Sequence, residues 1–337
     1  MRAGPGRYAG CACQRGMSMV ELLVCLPLAL AVSLAAVAAI SVSRASLNIQ
    51  DENTRMVETA MLALSIIERA VRHAGYEEGG TPAAGPAILG LDDSTLNADS
   101  ALLEKAASPG INNSDVLAVG YRGSGELNAD GSISNCAGVA LPSSQPGSHD
   151  GRGWSVFHIG RSPKAEPELR CKVQSRDGAS WTSDALATGV EAMQVLYGVD
   201  QDGDGAAERY VPARTVAGMA AWSKVISVRV ALLVRSSQSS ARLPGNHVHH
   251  LFDEAYSRFH GASDKGARVD EASLPDAERQ RLRRVFGLNI ALRNAPVGTE
   301  LPPAAKSGFT STEAAAGGLA TGGAATDGAP RSSGGGP

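Results

Sequence analysis

RGMSMVELLVCLPLALAVSLAAVAAI, residues 15–40, contains an apolar run from Met17 to Ile40 whose only charge is Glu21. As a helix the run spans about 36 Å, enough to cross a hydrocarbon core of about 30 Å. A lone carboxylate in hydrocarbon costs about 2.5–3.5 kcal/mol even on the lenient insertion scale, so Glu21 needs a reason. The preceding segment, MRAGPGRYAGCACQRG, carries Arg2, Arg7 and Arg15 and no acid. The positive-inside rule keeps it cytoplasmic and places everything after Ile40 outside. As a secretory signal the run is too long and lacks a polar cleavage region. As a plain anchor it leaves Glu21 unexplained. Pro27 removes one backbone hydrogen bond and is expected to kink or locally unwind the helix.

Helical character continues past the membrane run. Met56, Ala60, Ala63, Ile67, Ala70 and Ala74 recur at alternating steps of four and three, an apolar stripe along one helix face. Asp51/Arg55 and Glu68/Arg72 are i,i+4 pairs with the acid first, the better orientation. Gly75 is the expected stop, with Arg69, Arg72 and His73 suiting the C-terminal dipole. The expectation is one helix from Met17 to about Ala74. Its outer half is amphipathic and packs on a sheet in preference to forming a coiled coil, because the stripe is short and Ala-rich.

The rest of the chain has a different texture. Gly/Pro/Ser/Asn/Asp loops separate short apolar runs that read as strands: 114–123, 154–160, 168–173 and 188–199. In SKVISVRVALLVRSS, residues 223–237, Ile226, Val228, Val230, Leu232 and Val234 alternate with Ser227, Arg229, Ala231 and Arg235. That is a one-sided sheet face broken only by Leu233. A last strand, 285–294, puts Phe286, Leu288, Ile290 and Leu292 on one face. Between these, 270–284 suits a short helix or an extended arm. The fold class is therefore α+β, a long N-terminal helix packed on an antiparallel sheet. From residue 295 to 337, Gly, Ala, Ser, Thr and Pro dominate, and the reading is a disordered tail.

The net charge of −3 gives no electrostatic case for nucleic acid. Of five cysteines, Cys136 and Cys171 lie in the polar body. An even pair beyond a membrane segment suggests an extracytoplasmic disulfide; two unrelated buried thiols are the alternative. DQDGDGAAERY, residues 200–210, places Asp200, Asp202 and Asp204 at every second position, with Glu208 following. Alternating acids in a Gly-rich turn suit calcium, a hard cation wanting six to eight oxygens. The EF-hand pattern fails at its twelfth place, which is Val211. A solvated Asp/Gly hairpin turn explains the same residues. His247, His249 and His250 lack a paired acid or thiolate in sequence and read as a solvated loop. No nucleophile elbow, phosphate-binding loop or dinucleotide fingerprint is present, so the chain reads as a substrate of an enzyme and not as one.

A basic leader ending in Gly16, then Met17, then Glu21 at the fifth place after the junction, resembles the prepilin signal of type IV pilins and type II secretion pseudopilins. The resemblance implies cleavage after Gly16 by a membrane prepilin peptidase, N-methylation of Met17, and retention of the apolar run as anchor and filament core. It also implies pairing of Glu21 with the N-terminal ammonium of an adjacent subunit, which offsets desolvation and sets register. Met17 departs from the usual Phe. Four further stretches resemble the PilW family of large minor pilins: IIERAVRHAGY (66–76), NCAG (135–138) with LRC (169–171), VLYGVDQDGDGAAERYVPA (195–213) with ISVRVALLVRS, and RRVFGLNIALRN (283–294). The organisation this implies is a leader 1–16, a membrane and filament-core half-helix 17–40, an amphipathic half 41–75, a periplasmic body 76–294 and the tail 295–337. The implied setting is the inner membrane and then the pilus tip. The implied partners are other minor pilins and the major pilin; structural calcium at the Asp turn, read from its residues and not from the resemblance, is the one cofactor suggested. A type II pseudopilin, or a membrane-anchored periplasmic binding module, are the alternatives.

Overall fold

The computed structural model describes residues 18–77, 85–97, 102–103, 109–126, 129–148, 150–239 and 246–294. Gly16, Met17 and the tail from residue 295 lie outside the described residues. Helix α1 spans Met19–His73. It begins where Ser18 caps it: the Glu21 amide donates to Ser18 Oγ at 3.2 Å, and the Ser18 amide donates to Glu21 Oε2 at 2.9 Å. This reciprocal capping box satisfies two of the first turn's orphan donors. The helix runs through Pro27 as one element, without the local unwinding expected there. A proline this near the start removes one bond while the flanking turns hold the rest. It stops at Ala74, where ψ swings to 128°. Gly75 follows at φ +70°, and a Cβ there would lie 2.9 Å from the Asn294 carbonyl oxygen, so both conformation and space demand glycine.

The body holds two main antiparallel sheets. The first has the order β1-β2-β3-β4-β5, from Ile88–Leu91, Val116–Tyr121, Gly153–Arg161, Pro167–Gln174 and Trp181–Thr188. In the second, β6 (Val190–Val199), β7 (Arg209–Val211), β8 (Val225–Ser239) and β11 (Arg281–Ala291) take the order β11-β8-β6-β7. A small third sheet pairs β9 (Val248–His250) with β10 (Arg268–Asp270). Short helices α2 (Ala213–Gly218), α3 (Glu254–His260) and α4 (Asp276–Arg279) fill the connections. The main core joins the α1 stripe, Met56 to Ala74, to Val228, Val230, Leu232 and Val234 of β8 and Phe286, Ile290 and Leu292 at β11. It also takes in Leu117, Val119, Phe157 and Ile159 of the first sheet.

The run 188–199 forms β6 from Val190 onward; Thr188 ends β5, and at Gly189, φ +90°, the chain passes from the first sheet into the second. β8 is not one-sided. Ala231 and Leu233 face a second core with Ala192, Leu196, Leu251, Phe252 and Val269, so the layer around β9 and β10 covers the outer face. The segment 270–284 gives a four-residue helix, α4, and then the first residues of β11. The two sheets are keyed together by Ser114 and Asp115. The Asp115 amide donates to the Met193 carbonyl at 2.9 Å, and its Oδ2 accepts from the Val195 amide at 2.9 Å. Burial, and secondarily the charge of Asp92, hold the Asp115 carboxyl well above the usual range.

Several charges buried among the described residues are paired with one another. Arg283, with a fully buried side chain, bonds Glu191 at 2.6 Å. Arg235 bonds the same carboxylate at 3.0 Å and also pairs with Glu166 and Glu278. These ions tie β6, β8 and β11 to α4 and to the turn before β4. Their geometry meets the condition for burying charge, which is that each ion finds its counter-ion and hydrogen bonds.

Candidate functional site

Two regions carry the sequence-derived site residues. The first is α1. From Met19 to Ile49 the helix stands clear of the body, and its large apolar residues are exposed along the whole length. It is long and apolar enough to cross a membrane. Further along, the stripe is buried on the sheet, and Asp51–Arg55 and Glu68–Arg72 form the expected i,i+4 pairs. On the face turned away from the sheet, Met61 and Leu62 remain about half exposed. Glu21 lies at the first turn, where it closes the capping box with Ser18. That local role was readable as Ser18-x-x-Glu21 ahead of an apolar run, and the sequence reading missed it.

A second acid on α1 was also missed. Glu52 is 9% exposed and occupies the stripe position one step of four before Met56. Its Oε2 accepts from the Ser237 amide at 2.7 Å, and Oε1 accepts from Ser237 Oγ at 2.9 Å. The carboxylate therefore clamps the helix to the far end of β8. At the other end, the buried Arg152 guanidinium donates to Glu77 at 2.9 Å and to the Gly85 and Pro86 carbonyls, fixing the chain that leaves α1. Cys136 and Cys171 form a disulfide that ties the loop before β3 to β4.

The second region is the turn between β6 and β7. Ligand atoms of Asp200, Asp202, Asp204 and Glu208 all lie within 4.8 Å of one another, so the cluster could hold a metal. Asp200 is buried; its Oδ1 accepts from the Gly203 amide at 2.6 Å and its Oδ2 from the Gly205 amide at 2.9 Å. Glu208 Oε2 accepts from the Gln201 amide at 2.8 Å. The turn joins two paired strands, as the hairpin reading expected, and Val211 sits in β7 opposite Tyr197.

Two of the three histidines depart from the solvated-loop reading, while His247 lies exposed just before β9. His249 and His250 lie in β9, paired with β10, and His249 Nε2 is 2.9 Å from Glu271 Oε1. The acid absent from the local sequence arrives from twenty-two residues away. Glu271 also lies 3.7 Å from Arg283, which joins this segment to the buried ion network.

A family model described as type IV pilus-assembly protein W, PilW, matches residues 156–294. That stretch runs from within β3 to the end of the described residues and takes in β4 to β11 and the acidic turn. No curated protein matches the chain. Among solved structures, a type IV-like pilin from Thermus thermophilus aligns with 72% of this chain and 98% of its own, at 11% identity and a TM-score of 0.35. The family reading rests on the match over 156–294. From within β3 onward, residues 156–294 are similar to the family of type IV pilus-assembly protein W.

Proposed function

We propose that this protein is a minor pilin. It is cleaved after Gly16, methylated at Met17, held in the inner membrane by residues 17–40, and presents residues 76–294 to the periplasm. It joins other minor pilins in a complex that primes assembly with the major pilin and sits at the pilus tip. The body is a structural unit and the chain is not an enzyme. The observation that carries the reading is α1: one uninterrupted helix whose outer half is buried on the body, while its inner half projects as bare apolar surface. A helix apolar all round belongs in lipid or among other helices. The residues left exposed beyond it, Met61 and Leu62, extend that surface along the side turned away from the sheet.

In this reading Glu21 has two successive partners. In the free subunit it is held by the Ser18 amide. In the assembly it meets the ammonium of a neighbour's Met17, an ion pair that offsets burial. The test is co-purification with the other minor pilins for Glu21→Ala and Glu21→Gln at matched membrane levels. Both variants are expected to insert normally, since removing the charge eases burial, and to lose capture of partners. Assembly equal to wild type in both would overturn the role given to Glu21.

A second function of the body is supported by the closeness of the four carboxylates between β6 and β7. We read this turn as a structural calcium site, with Asp200, Asp202, Asp204 and Glu208 as its side-chain ligands.

A further inference from the structure

The outer face of the first sheet carries a cleft that the assembly role does not use. Its volume is ≈390 Å³, within the range of small-molecule sites. Gln174 pairs with Trp181 across β4 and β5, and Trp154 lies one residue beyond the Ser155–Val173 pair across β3 and β4. The two indoles therefore flank Gln174 in one row on one face, about 9–10 Å apart at their backbones by strand spacing. Leu89 and Pro86 close one wall, and Ser148 and Asp150 supply polar groups at the rim. Trp154 is rigidly seated: a Cβ on Gly120 would come within 3.0 Å of its ring, so the indole lies on bare glycine backbone.

The charges around the cleft select the ligand. Lys172 is fully buried, with Nζ 5.5 Å from the Trp181 ring centre and 2.8 Å from the Asn97 carbonyl. A cationic guest would meet that ammonium, which argues against an aromatic cage for quaternary amines. Asp150 is already balanced: its Oδ1 accepts from Ser148 Oγ and from the Arg152 amide, and its Oδ2 lies 3.6 Å from the Arg152 guanidinium. Arg152 in turn is held by Glu77. With Asp150 matched by Arg152 and the Lys172 ammonium wholly buried, the cleft favours a neutral guest. The partly exposed Trp181 ring, with the edge of the largely buried Trp154 beside it, suits a sugar ring with one apolar side, and an amide, a hydroxyl and a carboxylate at the cleft suit its hydroxyl groups.

We propose that the cleft between Trp154 and Trp181 is a saccharide-binding site that takes one neutral hexose ring. The proposal is independent of the assembly role. The full chain, in a detergent without a sugar headgroup, is titrated with methyl glucopyranoside, methyl galactopyranoside and N-acetylglucosamine in the millimolar range. Tryptophan emission is the readout, because two of the chain's three tryptophans line the cleft. The third, Trp222, stacks edge-on against Tyr197 elsewhere. At least one sugar is expected to give a saturable change. Affinity should fall at least tenfold in Trp181→Ala and in Gln174→Ala, each checked for an unchanged fold by circular dichroism, and persist in Trp222→Phe. No saturable response to any of the three sugars overturns the proposal, as does a response that survives in whichever cleft variant folds. A polyproline peptide that saturates the signal where the sugars do not assigns the cleft to peptide and overturns it equally.

Discussion

Glu52 shows how one residue's position decides its role. On an exposed helix face a glutamate adjusts solubility; on the stripe it is buried and must find donors. It finds them in Ser237 at the end of β8. Glu52→Ala leaves those donors without their acceptor, which costs about 1–3 kcal/mol. The expected result is a lower melting temperature and faster proteolysis of the outer half of α1. A second residue-scale prediction concerns His158, buried between β3 and β5 with Nε2 3.1 Å from Ser183 Oγ. Burial, with Arg170 and Lys172 adding to it, lowers its pKa to about 4. The folded protein holds the neutral ring, while the unfolded chain takes up a proton near pH 6.5. Stability from this residue is therefore complete above pH 6.5 and is lost as pH falls toward 4, at about 1.4 kcal/mol per unit. Asp115 acts in the opposite sense, because its raised pKa makes the fold hold that proton more tightly than the unfolded chain does. Comparing melting curves of wild type and His158→Gln at pH 7 and pH 4.5 cancels that term. The variant is expected to lose less stability on acidification.

At the scale of elements, the hairpin between β6 and β7 gives the test of the metal reading. If its carboxylates hold calcium, millimolar calcium should raise the melting temperature relative to chelator. The gain is about 2.7 kcal/mol at a hundredfold excess over Kd. Asp202 is exposed, so Asp202→Ala should abolish the response without unfolding the chain. Equal melting with calcium and chelator in the wild type would leave a plain hairpin turn. The elements also show what the sequence makes legible. The α1 stripe, the β3–β4 pair and the last strand are all visible, because each has an unambiguous period and one buried face. β5 is not: WTSDALAT on an exposed edge carries no apolar alternation, and only the break at Gly189 separates it from β6. β8 misleads for the opposite reason. Leu233 looks like a flaw in a one-sided pattern and in fact belongs to a second core, completed by Ala192 and Leu196 of β6 and by Leu251, Phe252 and Val269, all distant in sequence. The partner of His249 was equally hidden, since no local pattern brings Glu271 beside it.

The whole molecule is a body assembled around one end of a helix whose other end is bare. The body's stability is internal, from the two cores, the disulfide and the paired ions of β6, β8 and β11. The bare half of α1 gains nothing from the body and is the part that membrane and partner subunits must cover. That division explains why one acid, Glu21, is tolerable in the apolar run, and it depends on where the mature chain begins. On the proposed reading, cleavage after Gly16 puts an ammonium four residues before Glu21 in the sequence and makes the subunit competent to pair with its neighbours. The measurement is the intact mass and N-terminal sequence of the protein purified from membranes of a host that has the prepilin peptidase. The expected chain starts at N-methylated Met17, and Gly16→Val should leave it unprocessed. A wild-type protein that retains Met1 in that host would contradict the assignment of this chain as a pilin subunit.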